Sequence, residues 1–277
     1  MPRTRRRFLT VLGAAGTFGA AGCLNPSEDT SPSTQTGTDT PRSTTGDPGT
    51  ATVSGLSYPN GFSESGMADT DAVVTAQREY LLARSSYTEQ WVLETIDATG
   101  ETTGGQPTEF TVRAVPADRR LRLRYHDHAN HIEAFYDGTY YEYDVTGQTV
   151  YEGRSPRLFT DVEKAYRPLS LWAVNTLLPA LLSIVRVEPT STRTVEGETT
   201  IEFAVTGVSD DRKEEMSEVA YTGADGSLLV TESGGILEFE YTPQFESDTT
   251  SLQAGTNEIT NIGQTTVSRP DWLSETG

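Results

Sequence analysis

Leu121-Arg122-Leu123-Arg124-Tyr125, a polar turn over Asp127-His128-Ala129-Asn130, His131-Ile132-Glu133-Ala134-Phe135-Tyr136, Asp137-Gly138 and Tyr140-Tyr141-Glu142-Tyr143-Asp144 make one run with a residue period of two. That period belongs to strands with one side on a core and the other in water. The Asp137-Gly138 step supplies the positive φ that a tight hairpin turn needs. This stretch therefore predicts an antiparallel meander.

Working outward, Tyr87 to Ile96 and Phe110 to Ala114 alternate in the same way, separated by a loose turn at Gly100 to Pro107, and Gly147 marks a turn before Val150-Tyr151. Upstream, Tyr58-Pro59-Asn60-Gly61 is a turn. Asp69 or Thr70 then caps a helix through about Arg84, with Val73, Ala76, Gln77, Tyr80, Leu81 and Arg84 on one face. Downstream, strands are expected at residues 199–208, 217–222, 227–233, 236–242 and 264–268, with Ala224-Asp225-Gly226 as a hairpin turn. Leu237, Phe239 and Tyr241 point one way and Glu238 and Glu240 the other, so one sheet face is wet.

Residues 155–187 interrupt the strands. Residues 161–166 read as helical up to Pro168, and Ser170 is placed to cap a second segment over residues 171–185. That segment is apolar nearly all round, so protein or ligand must surround it. Pro179 is expected to kink or break it.

The order of a helix, a meander, an apolar helical insert and a second meander resembles the LolA-like and LppX-like lipoprotein family, found also in many haloarchaeal lipoproteins. The phrases that carry the resemblance are Tyr136-Asp137-Gly138-Thr139-Tyr140-Tyr141-Glu142-Tyr143 and Arg269-Pro270-Asp271-Trp272-Leu273. It implies an α+β fold: an antiparallel, incompletely closed β-barrel, or half-barrel, wrapped around a central apolar helical insert with an N-terminal helix. It also implies an apolar hollow that takes a lipid or isoprenoid chain, and Trp172, Leu177, Leu178, Leu181, Phe203, Val205, Leu237 and Phe239 are the candidates to line it. Bacterial shuttling to an outer membrane does not carry over to an archaeon.

The N-terminus carries an address. Thr4-Arg5-Arg6-Arg7-Phe8-Leu9 resembles the twin-arginine export consensus, with Arg5 and Arg6 as the fixed charges. The apolar run after it contains Gly13, Gly16 and Gly19 and falls short of the ~20 residues that cross a bilayer. Ala20-Ala21-Gly22-Cys23 resembles a lipobox, in which the cysteine receives a lipid and becomes the new N-terminus. Cys23 is the only cysteine, so the exported domain is held by its core and not by an intramolecular disulfide. The expected domains are a signal peptide over residues 1–22, a Ser/Thr/Pro-rich disordered linker over 23–55 and a folded domain over 56–277. The linker has too few apolar residues to fold and would let the domain stand ~30 Å from its anchor. The expected location is the cell membrane, lipid-anchored and facing the exterior.

Charge sets the medium. The formal net charge is -19, and loss of Arg3, Arg5, Arg6 and Arg7 with the signal takes it to -23. Lys164 and Lys213 are the only lysines. Such a surface repels itself at low ionic strength and is screened within ~3 Å in molar salt, as in proteins of salt-loving archaea. It excludes nucleic acid as a partner, since phosphate backbones need a basic face.

The remaining constellations have bland readings. His126, His128 and His131 form HxHxxH, and His126 and His128 could share a strand face as metal ligands, but the stretch reads as a solvated turn; no metal is expected. Tyr136, Tyr140, Tyr141, Tyr143 and Tyr151 fit cross-strand packing better than sugar stacking. Glu214, Glu215 and Glu218 read as a solvated charge run. No GxSxG, phosphate loop, HExxH or dinucleotide fingerprint occurs, so neither enzyme activity nor a cofactor is expected. Two functions of different kinds follow: a lipoprotein that binds or carries a lipid or other apolar ligand, or a surface interaction or sensor module with a filled core that meets a protein partner.

Overall fold

The structure is a computed structural model that describes residues 57–153, 170–195, 197–209, 220–246 and 251–274. The described residues all belong to one compact unit. Arg5, Arg6, Cys23, the helix expected at residues 161–166, and Glu214, Glu215 and Glu218 lie outside the described residues.

A small hairpin, β1 (Phe62–Ser63) and β2 (Gly66–Met67), leads into helix α1 (Thr70–Ala83). Asp69 is its N-cap, its carboxylate accepting from the Ala72 N–H at 3.0 Å. This satisfies one of the N–H groups that a helix start leaves without a partner. The buried face is Val73, Val74, Ala76, Gln77, Tyr80 and Leu81, the stripe read from the sequence plus Val74 and without Arg84, which is the C-cap. Gln77 locks the helix to the sheet through both ends of its amide: Nε2 donates to the Ile236 carbonyl at 3.3 Å, and the Ile236 N–H donates to Oε1 at 2.6 Å. Gly235 makes the approach possible, since a Cβ there would stand 2.5 Å from the Tyr80 ring.

Strands β3 (Tyr87–Ile96), β4 (Thr108–Val115), β5 (Arg120–His126), β6 (His131–Tyr136), β7 (Tyr140–Asp144) and β8 (Thr149–Glu152) form the first meander. Helix α2 (Trp172–Leu182) follows, and β9 (Val185–Val195), β10 (Glu198–Val208), β11 (Ala220–Thr231), β12 (Ile236–Glu246) and β13 (Leu252–Thr260) form the second. All eleven make one antiparallel sheet in the order β8-β7-β6-β5-β4-β3-β13-β12-β11-β10-β9. The end strands β8 and β9 do not pair with each other, so the sheet is not closed into a barrel. Their connection runs from one edge strand to the other and contains α2, which joins the main apolar core with α1. This is the expected α+β half-barrel.

Register places one row of facing residues across the inner side: Phe203, Leu228, Phe239, Asn257, Trp91, Phe110, Tyr125 and Ile132. The core is built on this row, with Trp91 edge-on to Phe239 at 6.5 Å and Phe62 against Phe203 at 4.6 Å. The outer side of the first meander carries a second cluster. There Phe135, Val267 and Leu273 are buried with Tyr141, Val150 and Trp272, so the segment after β13 lies across the sheet as a strap. Its Trp272 stacks on Tyr143 at 5.3 Å, and its indole N–H donates to Glu133 at 3.0 Å.

The sequence reading needs five corrections. Residues 224–226 are not a hairpin turn but lie inside β11. Gly226 lets β12 approach there, because a Cβ would stand 2.0 Å from the Glu240 carbonyl oxygen. Residues 264–268 are not a strand: the last strand is β13, and Val267 is buried in the strap. The chain returns to the sheet at Val185, so the end of the expected helical segment is the start of edge strand β9. Ser170 does not cap α2; Leu171 holds the N-cap position without a side-chain hydrogen bond. Pro179 lies inside α2 without ending it, and the Ser183 N–H still reaches the Pro179 carbonyl at 3.1 Å.

Candidate functional site

Alternation along β3 puts Tyr87, Glu89, Trp91 and Leu93 on the inner wall, toward α2. The helix is laid against this wall by Phe110, whose ring stands 4.9 Å from Trp172, and is tied at its start by the Tyr87 hydroxyl, which donates to the Ser170 carbonyl at 2.9 Å. Arg78 of α1 reaches across to the Asn175 side chain at 2.8 Å. Ala173, Val174, Leu177, Leu178 and Leu182 are buried, whereas Trp172, Pro179, Ala180, Leu181 and Ile184 are half-buried. Helix α2 thus keeps apolar surface on its outer side. Beside Leu181 the Leu93 side chain packs down onto Gly255, where an added Cβ would meet Leu93 at 2.9 Å and Leu181 at 3.9 Å.

All eight lining candidates belong to the one core cluster. Leu177, Leu178, Phe203, Val205, Leu237 and Phe239 are buried in it, and Trp172 and Leu181 pack on it half-buried. Leu237 also lines a cavity of about 250 Å³ with Tyr80, Val195, Glu198, Ile262 and Gln264. That volume is below the ~300–1,000 Å³ usual for a drug-sized ligand. Beside it Arg84 pairs with Glu198 at 2.7 Å and lies 3.8 Å over the Tyr80 ring.

The polar feature that sequence reasoning missed is Glu89. It is fully buried on the inner wall, flanked across the strands by Val112 and Ile259. Its Oε1 accepts the Trp91 indole N–H at 2.9 Å, and its Oε2 has no hydrogen-bond partner among the described residues. Burial pushes its pKa up to about 7, with Trp91 and Asn257 pulling the other way. The signal was legible in parity, since Glu89 lies in phase with Tyr87, Trp91 and Leu93.

Elsewhere the polar groups are structural. Burial would raise the Glu133 carboxyl, but Arg122, Trp272 and Arg124 outweigh it and hold the group below the usual range. Asp127 accepts from Tyr125, Ala129 and Asn130 and so fixes the β5–β6 turn. His126 faces His131 across the strands with ring centres 5.0 Å apart, whereas His128 lies in the turn, so the shared-face pair is His126 with His131 and not with His128. No three His, Cys, Asp or Glu side chains converge as a metal site among the described residues. Tyr136 and Tyr140 face each other, buried on the inner wall, while Tyr141 and Tyr143 lie under the strap.

No family model and no curated relative matches the chain. Solved structures that resemble it include LprF from Mycobacterium bovis, with 11% identity and a TM-score of 0.34 over 75% of this chain and 98% of that one. They also include lipoprotein LppX from Mycobacterium tuberculosis, with 9% identity and a TM-score of 0.32 over 72% of this chain and 98% of that one. A LolA superfamily protein from Nitrosomonas europaea matches with 9% identity and a TM-score of 0.25 over 74% of this chain and 96% of that one.

Proposed function

We propose that this protein is a lipoprotein anchored through Cys23 on the outer side of the cell membrane, where its half-barrel binds or carries a lipid or other apolar chain between α2 and the sheet. The observation that carries the reading is α2 itself. It is a helix apolar nearly all round, set against the inner wall of an unclosed sheet, with Trp172 and Leu181, and Ile184 just after it, only half-buried. Each such side chain forgoes part of the ~1.5–3 kcal/mol that full burial contributes, and an apolar chain laid along it would recover that part. Nothing in the reading calls for catalysis.

One observation favours the alternative of an interaction or sensor module. Six of the eight lining candidates are already buried, so binding requires α2 to lift from the wall. The test uses the full-length chain with Cys23→Ser, kept in molar salt so that no anchor demands detergent. Native mass spectrometry and solvent extraction should find co-purified lipid, and the fluorescent hydrocarbon diphenylhexatriene should bind saturably and be displaced by membrane lipids. Leu181→Trp should weaken binding at a stability cost of no more than ~1–3 kcal/mol. No lipid and no saturable binding would replace this reading with the interaction module.

A further inference from the structure

A carboxyl group in an apolar wall demands an explanation. Glu89 has Val112 and Ile259 beside it and Tyr87 and Trp91 before and after it on the same face. Leucine or glutamine would fill the place without the desolvation of an acid. Burial keeps the group neutral up to a pH of about 7. In its neutral form it has one oxygen to accept and one hydroxyl to donate. Oε1 takes the Trp91 N–H. Asn257, directly opposite Trp91, gives its amide N–H to the Gln90 carbonyl at 3.2 Å. Oε2 is left without a partner among the described residues, so the hydroxyl on that oxygen lacks an acceptor.

Its place on the wall is as informative as its chemistry. Leu93 packs on Gly255 beside Leu181, and Trp91 and Glu89 follow it on the same face of β3. Four residues of strand span ~13 Å, so a chain entering past Leu181 would run along Trp91 and bring its end to Glu89.

We infer that Glu89 is the polar recognition group of the half-barrel, selecting apolar chains that carry a hydrogen-bond-accepting oxygen, such as a ketone or quinone carbonyl. The inference rests on the apolar-ligand reading above and names the ligand class. The Trp91 indole holds the carboxyl in place through Oε1, and the Oε2 hydroxyl donates to the ligand. A pure hydrocarbon leaves that donor unmatched, and an anionic head group gains no countercharge from this wall.

The test uses the full-length Cys23→Ser chain, loaded with diphenylhexatriene and challenged with geranylgeranylacetone or with the matching hydrocarbon that lacks the carbonyl. The ketone should displace the probe at concentrations at least about ten-fold lower, and this preference should fade as pH rises through about 7, where Glu89 ionises. Glu89→Gln keeps a donor, so it should retain the preference and lose its pH dependence. Glu89→Leu should show no preference between the two compounds. Equal displacement by both compounds, or a preference that survives in Glu89→Leu, overturns the inference and leaves the lipid reading intact. Failure of the wild-type chain to bind the probe at all overturns both.

Discussion

Tyr87 and Ser170 stand on opposite sides of the inner layer, and the tyrosine hydroxyl donates to the serine carbonyl at 2.9 Å in a buried setting. The bond ties the wall of the sheet to the chain just before α2. Tyr87→Phe keeps the ring and removes that donor, so it should cost about 1 kcal/mol in thermal unfolding in molar salt. Hydrogen exchange should quicken more in residues 172–182 than in α1. An equal effect on both helices would mean that the bond stabilises the domain generally and not the seating of α2.

Glu89 sets a pH dependence with a definite sign. Its folded pKa, about 7, lies above the ordinary glutamate value of 4.5, so its acid form favours the fold. That stability is fully present below about pH 4.5, is lost as pH rises towards about 7, and stays lost above it. The size is of the order of 3 kcal/mol. Glu89→Gln should remove this slope and leave the domain more stable than wild type at pH 8. Parallel curves of stability against pH for the two proteins would show that Glu89 does not titrate in this window.

The strap makes the opposite acid response. Glu133 is held below its usual range, so its contribution is present above pH ~4.5 and is lost as pH falls through its folded pKa. Trp272→Ala removes both the stack on Tyr143 and the N–H donated to Glu133, and should cost ~2–4 kcal/mol. Trp272→Phe keeps much of the stack but not the N–H, and should recover part of the loss at neutral pH. Urea unfolding at several pH values distinguishes these outcomes.

The proposed anchor and export route are tested in cells. Wild type should partition into detergent and stay with membranes, while Cys23→Ser should be released or remain as uncleaved precursor. Arg5→Lys together with Arg6→Lys should trap precursor inside. Membrane retention of correctly processed Cys23→Ser would remove the lipid anchor, and normal export of the double mutant would point to the general secretory route.

The first meander was legible because its turns after β4 are short and its strands alternate with one wet face, so parity and the Asp137-Gly138 turn fix both elements and pairing there. Helix α1 was legible for a similar reason, having an Asp69 cap and a clean stripe. The second meander was harder. Pro189 in β9 and Pro243 in β12 look like breaks, and β9 escaped notice because its first residue, Val185, continues the apolar helical run. Asp225-Gly226 carries turn chemistry in a position where the glycine serves a close backbone approach. In the candidate site the apolar members were read from the helix and strands, whereas Glu89 was hidden among residues assigned to a strand without asking which face each occupied.

The strand order has one more consequence, which concerns time. Each meander pairs mostly neighbours in sequence, but the middle of the sheet joins β3 to β13, the first and last strands of the eleven. A pairing between such distant segments must close a loop spanning nearly the whole domain before it gains any contact energy. The two wings can therefore form while the centre waits, and the ladder from Thr88 against Thr260 to Ile96 against Leu252 is the step that sets how fast the inner wall, with Trp91 and Glu89 on it, comes into being.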